Sequence, residues 1–263
     1  MYDFEFLKPA SLDDAVAALA EEGAQALAGG QTLIPTLKAR LAMPSALISL
    51  DGVEELRGIC SDDQGRICIG AMTTHGAIAR AMSGKVAGVA HLAGEIGDPA
   101  VRNRGTIGGS LANNDPAACW PAAALACGAT IRTNVREIEA GDFFDGMFTT
   151  ALDEGELIVE VKFPVPELSA YGKFEQPASR FALVGVFVAK FGDGVRVAVT
   201  GASEEGVFPW REAEAALGAE FGIEALEGMS PGAEGLLGDI HGTPEYRAHL
   251  VGVMTRRAVA ACA

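Results

Sequence analysis

The chain has 263 residues, an apolar content of 49% and a formal net charge of −15 at pH 7. This composition predicts a globular protein with more than one core, because single cores stop growing near ~250–300 residues. The charge argues against nucleic-acid binding, since no basic field displaces counterions from phosphates. A phosphate-bearing ligand would have to be held by local N–H groups and a few placed cations.

The cysteine pattern and the N-terminal sequence favour a cytoplasmic protein. The number of cysteines is odd, and none forms a C-x-x-C pair or an iron–sulfur or zinc spacing; they are Cys60, Cys68, Cys119, Cys127 and Cys262. In a chain of this size we expect reduced thiols. The opening MYDFEFLKPAS has no apolar h-region, so we expect no signal peptide, and no window reaches the ~18 uncharged apolar residues of a membrane span.

Residues 1–55 are predicted to form a β-α-β-α-β unit, with strands at 3–7, 25–28 and 46–50. Ser11 caps the first helix, with Asp14 as the acidic partner of a capping box. The second helix is predicted over 33–41 and follows the segment Ala28-Gly29-Gly30-Gln31-Thr32. There is no G-x-G-x-x-G at a strand-to-helix turn and no P-loop pattern, which argues against a standard dinucleotide fold.

Residues 56–168 are predicted to form a second unit, with strands at 66–70, 129–133 and 157–163 and helices at 74–82, 86–95 and 121–125. Between them, residues 97–116 are predicted to form a long loop, and long loops in compact domains are usually functional. Its centre is Thr106-Ile107-Gly108-Gly109-Ser110.

Residues 169–263 are predicted to form a third unit, which begins after Pro164-Val165-Pro166. Two β-rich runs, 181–191 and 195–200, are joined by Gly192-Asp193-Gly194, a hairpin signal. Helices are predicted at 209–219 and 244–261.

The two Gly-Gly segments carry the functional hypothesis. Adjacent glycines allow φ > 0 and close approach to a ligand, and successive N–H groups at a helix start suit an anion. A double glycine seen alone is more often a tight turn. Together, with Thr32, Thr106 and Ser110 as hydroxyl donors, the two segments predict one diphosphate held from two sides. Arg102 and Arg104 precede the second segment, either as ligand contacts or as solvated loop arginines.

No acid–base machinery accompanies these segments. The histidines show no metal-binding spacing and are expected to have surface or core roles; they are His75, His91, His241 and His249. No serine lies in G-x-S-x-G. We therefore expect no catalytic side chain and no metal site, and a redox cofactor that supplies the chemistry.

The sequences AGGQTLIP at 28–35 and IGDPAVRNRGTIGGSLANNDPAA at 96–118 resemble the two flavin-binding signatures of the FAD (medium) subunit of molybdenum hydroxylases, the xanthine dehydrogenase and aerobic carbon monoxide dehydrogenase family. YGKFEQPASRFALVGV at 171–186 also fits, and the resemblance covers nearly the whole chain. It implies an α+β fold of the vanillyl-alcohol oxidase (PCMH) type: FAD-binding subdomains at 1–55 and 56–168, and a C-terminal α+β domain at 169–263.

The resemblance also implies the cofactor contacts. Residues expected at the pyrophosphate and ribose are Ala28, Gly29, Gly30, Gln31, Thr32, Leu33, Thr106, Ile107, Gly108, Gly109 and Ser110. Asn114 and Asp115 are expected near the ribityl and flavin end, and Leu157 and Lys173 also match positions that touch FAD. The chain departs from the pattern at Cys119, where many relatives have an acid that would hydrogen-bond the cofactor; a thiol is a poorer partner.

By this resemblance the chain is the FAD-carrying electron-transfer subunit of a three-subunit enzyme. Its implied partners are a small 2Fe–2S subunit and a large molybdopterin subunit, arranged as a dimer of heterotrimers. Electrons would pass from the clusters through the flavin to NAD⁺, quinone or oxygen. Two alternatives stay open: a flavin-free assembly or binding protein of the same fold, and a stand-alone flavin oxidase, which would need an acid–base residue over the flavin.

Overall fold

The computed structural model describes residues 1–262 and begins with a three-stranded parallel sheet. Its strands are β1 (Glu5–Leu7), β2 (Ala24–Leu27) and β3 (Ala46–Ser49) in the order β1-β3-β2, and its helices are α1 (Leu12–Leu19) and α2 (Leu33–Lys38). The predicted β-α-β-α-β order is confirmed. Ser11 caps α1 by accepting a hydrogen bond from the Asp14 N–H at 3.2 Å. The prediction for α2 was too long: the chain leaves the helix after Lys38, and Arg40 adopts a left-handed φ of 59°.

The second sheet has five antiparallel strands and carries most of the helices. The strands are β4 (Ile59–Ser61), β5 (Ile67–Gly70), β6 (Thr130–Thr133), β7 (Glu137–Glu139) and β8 (Ile158–Phe163), in the order β4-β5-β8-β6-β7. The helices are α3 (His75–Met82), α4 (Ala87–Gly94), α5 (Pro99–Arg102), α6 (Ile107–Asn113), α7 (Trp120–Cys127) and α8 (Ala140–Phe143). The strands β4 and β7, which were not predicted, are three-residue edge strands, too short for a clear alternation of apolar and polar residues.

The prediction of one long loop over 97–116 was wrong, because this stretch contains α5 and α6. Glycine in a helix interior is less favourable than alanine by roughly 1 kcal/mol, so helix propensity does not predict α6. Capping compensates: Thr106 accepts a hydrogen bond from the Gly109 N–H at 3.2 Å, and Asp98 accepts one from the Val101 N–H at 2.8 Å. The glycine pair at 108–109 therefore forms the first turn of a helix.

The third sheet is antiparallel and is covered on both faces. Its strands are β9 (Leu168–Glu175), β10 (Ala182–Phe191), β11 (Gly194–Ser203) and β12 (Gly206–Pro209), followed by α9 (Arg211–Ala219) and α10 (Pro244–Ala261). The predicted hairpin at 192–194 is confirmed, since β10 pairs with β11 there. One face of the sheet packs on α10. On the other face Tyr171 and Phe187 share a core with Trp120 of α7.

The first two sheets also share a core. Met72, Leu157 and Val159, from the second unit, pack with Ile48 and Leu50 of the first. This contact holds the carboxyl end of β2, where the first glycine segment begins, against the start of α3. Within residues 1–262, no helix combines the length and apolarity needed to cross a membrane.

A buried carboxylate links β6 to the segment before β8. Glu156, whose side chain is 2% exposed, accepts hydrogen bonds from Arg136 (2.9 and 3.1 Å), the Asp153 N–H (2.8 Å) and the Thr133 hydroxyl (2.6 Å). The bonds from Arg136 are the main cause that lowers the pKa of Glu156 to about 2. The folded protein therefore holds this group ionised more firmly than the unfolded chain does.

This network predicts acid-sensitive stability. Because the pKa of Glu156 is about 2 when folded and near 4.5 when unfolded, its contribution, about 3 kcal/mol, is complete above pH 4.5 and is lost as the pH falls from about 4.5 to 2. In Glu156→Gln, the free energy of unfolding from urea titrations should be lower at pH 7 and fall less steeply in that range. The exposed Glu154→Gln is the control. Equal acid sensitivity in wild type and Glu156→Gln would contradict this assignment.

Candidate functional site

A cleft of about 570 Å³ lies between the first sheet and the helices of the second unit. Its volume falls in the range of sites for small molecules and cofactors. All but two of the residues predicted to contact a cofactor line it: Ala28, Gly29, Gly30, Gln31, Thr32, Leu33, Thr106, Gly108, Gly109, Ser110, Asp115, Leu157 and Lys173. The two glycine segments, about 75 residues apart in sequence, thus face one volume.

The first segment lies against the backbone that immediately precedes the second segment. A Cβ on Gly29 would lie 2.7 Å from the carbonyl carbon of Arg104 and 2.8 Å from the Cα of Gly105. A Cβ on Gly109 would lie 3.3 Å from that of Ala28. Since real Cβ atoms do not approach backbone so closely, Gly29 is required for the contact that closes this end of the cleft.

The first segment leaves its N–H groups available. Within residues 1–262, no acceptor satisfies the backbone N–H groups of residues 29–33. Gly30 has a φ of +70°, as predicted for a turn that needs glycine, and its carbonyl accepts the Ile34 N–H at 3.2 Å. Successive N–H groups that face a cleft at the start of a helix form a site for an anion.

In the second segment, the N–H groups of residues 107–110 already have acceptors within the protein. The Ile107 N–H donates to the Thr73 carbonyl at 3.2 Å, and the Gly108 N–H donates to the Ala71 carbonyl at 2.9 Å. The Gly109 N–H donates to the Thr106 hydroxyl oxygen. The backbone of this segment is therefore tied to the connection between β5 and α3, and the segment offers its hydroxyls to a ligand.

The glycines of the second segment serve packing. A positive φ was expected at both glycine pairs, but of these four residues only Gly30 has one. A Cβ on Gly108 would lie 2.9 Å from the Ala71 carbonyl oxygen, so glycine allows α6 to lie directly on the backbone after β5. The Ser110 hydroxyl has no hydrogen-bond partner within residues 1–262, and Ser110 lines the cleft.

Two of the residues predicted to contact a cofactor do not line the cleft. Ile107 is fully buried in the core of the second unit. Asn114 ends α6 with a left-handed φ of 40°, and its side-chain amide donates to the carbonyls of Gly146 and Thr149 at 2.8 and 2.7 Å. In this structure both residues anchor α6 to the rest of the protein and do not face the cleft.

Asp115 and Lys173 place charges in the cleft. Burial raises the pKa of Asp115, while a hydrogen bond from the Ala117 N–H at 2.8 Å opposes that shift. Lys173 on β9 donates to the Glu95 carbonyl at 2.7 Å. Arg180, which lines the cleft from the turn between β9 and β10, was not predicted from the sequence.

Cys119 lies on the cleft wall beside Lys173 and Tyr171. The residue is 5% exposed, and burial raises the pKa of its thiol, so the group is protonated at neutral pH. The Tyr171 hydroxyl has no hydrogen-bond partner within residues 1–262, and burial raises its pKa as well. Cys119 and Tyr171 therefore add no negative charge to this part of the cleft wall.

His75 also lines the cleft, which the sequence did not indicate. Its Nδ1 accepts a hydrogen bond from the Trp120 Nε1–H at 3.0 Å. Burial, aided by the nearby charge of Arg102, lowers the pKa of His75 to about 4. The only available signal was its place directly after the capping residue Thr74. In the described chain, residues 1–262, His, Cys, Asp and Glu form no cluster that could hold a metal ion.

Comparisons with known proteins agree on one family. The family described as the FAD binding domain in molybdopterin dehydrogenase matches residues 2–166. The carbon monoxide dehydrogenase medium chain of Afipia carboxidovorans is 32% identical, and the nicotine 6-hydroxylase medium subunit of Paenarthrobacter nicotinovorans is 35% identical. Each alignment covers 97% of this chain and 95% of the relative.

Solved structures show the same fold over the whole chain. Reconstituted CO dehydrogenase from Oligotropha carboxidovorans superposes with a TM-score of 0.88 at 31% identity, covering 99% of this chain and 98% of that one. Quinoline 2-oxidoreductase from Pseudomonas putida 86 gives a TM-score of 0.81 at 31% identity, over 99% and 97% of the two chains. The expected α+β fold with its flavin-binding architecture is thereby confirmed.

The close approach of Gly29 to the backbone of residues 104–105 predicts that Gly29→Ala lowers the stability of the protein. The added Cβ must push the 104–105 backbone away, and overpacking of this kind costs about 1–3 kcal/mol. We expect a lower melting temperature by circular dichroism. The control is Gly94→Ala at the end of α4, where a Cβ meets no atom within 4 Å; alanine there should be neutral or stabilising. Equal melting temperatures for Gly29→Ala and wild type would contradict the close contact.

Proposed function

The chain belongs to the family of FAD-binding subunits of molybdopterin dehydrogenases, and we propose that it is the FAD-carrying electron-transfer subunit of a heteromeric molybdenum hydroxylase. One observation carries this proposal: the unsatisfied N–H groups of residues 29–33 and the free hydroxyl of Ser110 face the same cleft. This donor set fits the diphosphate of a dinucleotide. It needs no excess of basic residues, which this chain lacks.

The residues around the cleft have three roles: some donate hydrogen bonds to the cofactor, some hold α6 in place, and some line the cleft. The N–H groups of 29–33 would hold the pyrophosphate, helped by the positive end of α2, and the hydroxyls of Thr32, Thr106 and Ser110 would complete the polar contacts. Asp115, Leu157 and Lys173 would form the wall along the rest of the cofactor. Ile107 and Asn114 would hold α6 in place by contacts on the side away from the cleft. FAD supplies the redox chemistry when bound, and the chain orients it and excludes water.

The partners follow from the family. The relatives are medium chains and subunits of dehydrogenases and hydroxylases, including one named as a subunit of a dehydrogenase complex. We propose a small 2Fe–2S subunit and a large molybdopterin subunit as partners, in a dimer of heterotrimers in the cytoplasm. NAD⁺, quinone or oxygen would accept the electrons. We further propose subdomains at 1–55 and 56–168 and a C-terminal domain at 169–263, supported by the three separate sheets.

We expect the purified chain to be yellow, or to become yellow on reconstitution with FAD. Ser110→Ala removes a hydroxyl that has no partner in the protein, so it should weaken FAD binding about 3- to 10-fold without lowering the melting temperature. The measurement is a fluorescence titration of FAD, and Ser61→Ala on exposed β4 is the control. A protein that FAD cannot colour would favour a flavin-free assembly role. Turnover of simple alcohols by the isolated chain would favour a stand-alone oxidase.

A further inference from the structure

His75 is placed where the two glycine segments meet. It is the first residue of α3, is 4% exposed, and its backbone N–H donates to the Gly105 carbonyl at 3.0 Å. A Cβ on Gly105 would lie 2.7 Å from the His75 Nε2, so the imidazole edge fits directly against this glycine. Gly105 in turn packs on Gly29. The imidazole is therefore part of the wall at the junction.

The hydrogen bond from Trp120 fixes the tautomer of this imidazole. An indole Nε1–H is a donor only, so the Nδ1 that receives it must be free of a proton. A neutral imidazole with an unprotonated Nδ1 carries its proton on Nε2. Because burial keeps the ring neutral at physiological pH, His75 holds one N–H group, and that group is on Nε2.

This Nε2–H has no acceptor within residues 1–262. His75 and Gly105, on which the Nε2 edge rests, both line the cleft. The side-chain atoms that are fully buried without a partner do not include this Nε2, so the N–H is accessible from the cleft, where a ligand oxygen can accept its hydrogen bond. His75 thus presents an oriented neutral donor to the cleft that the fold itself does not use.

We propose that His75 donates its Nε2–H to an oxygen of the dinucleotide in this cleft, and that Trp120 is the positioning residue that fixes the required tautomer. The inference rests on the proposed function and adds a binding residue to it. The ligand oxygen belongs to the diphosphate or to the adjoining ribose, because the donor lies at the junction of the glycine segments. A neutral donor suits this place: it binds an oxygen without adding a buried charge.

The binding test compares FAD dissociation constants for wild type and three variants. His75→Leu removes the donor and should weaken FAD binding about 10- to 100-fold. His75→Gln keeps an N–H near the position of Nε2 and should stay within about threefold of wild type. The control is His91→Leu, whose imidazole on α4 bonds the Tyr171 carbonyl outside the cleft and should leave FAD affinity unchanged.

The spectroscopic test reads the tautomer itself. In ¹⁵N-labelled wild type, His75 should show a protonated Nε2 and an unprotonated Nδ1, and the Nε2–H resonance should move when FAD binds. Trp120→Phe removes the donor to Nδ1, so the two tautomers should mix and the pKa of His75 should rise above about 4. FAD affinity should fall in this variant, although the imidazole is still present.

The outcomes separate this proposal from the proposed function. Wild type that binds no FAD overturns both. Wild type that binds FAD, with equal affinity in His75→Leu, overturns the role of His75 alone. A proton on Nδ1 in wild type overturns the role of Trp120. If His75→Leu does not fold, the other measurements still decide the role of His75. An Nε2–H resonance of wild type that does not move when FAD binds would refute the contact. A resonance that moves, together with retained FAD affinity in His75→Gln, would support it.

Discussion

The site depends on one backbone contact, that of Gly29 with residues 104–105. The first sheet brings Gly29 to this point at the carboxyl end of β2, and the connection between β5 and α3 holds the other side through its hydrogen bonds to Ile107 and Gly108. Neither unit alone encloses the cleft. The shared core around Met72 and Leu157 sets the distance at which the two segments meet, so packing some way from the ligand determines the geometry of the donors.

The two glycine segments look alike in sequence, but the structure gives them different roles. In the first, the N–H groups of 29–33 remain without acceptors, so this segment provides the backbone donors. In the second, the corresponding N–H groups donate hydrogen bonds to Ala71, Thr73 and Thr106. This segment is therefore fixed in place and provides hydroxyls. The fixed second segment holds the free donors of the first segment in position. Donors that are already in position lose less entropy when the ligand binds, so this arrangement favours binding.

The sequence predicted those elements whose signal is local. The cap of α1 at Ser11 and the hairpin at 192–194 each depend on neighbouring residues, and both predictions are confirmed. The approach of both glycine segments to one cleft was also predicted, from their shared chemistry. The helical state of Gly108 and Gly109 was missed because glycine disfavours helices, and the packing of Gly108 on Ala71, far away in the chain, could not be seen from the sequence. His75 was missed because its tautomer depends on Trp120, which lies 45 residues away. Contacts of this kind leave no pattern in a single sequence.

An acidic chain can still hold an anionic ligand if the charges in the cleft are arranged locally. Of the two carboxylates that line it, Glu156 is paired with Arg136, and Asp115 accepts a hydrogen bond from the Ala117 N–H. Lys173 and Arg180 contribute positive charge to the same wall. Surface carboxylates farther away than the Debye length, about 8–10 Å at physiological salt, contribute little to the field in the cleft. The net charge of −15 therefore governs solubility, whereas a few residues around the cleft govern the affinity for a diphosphate.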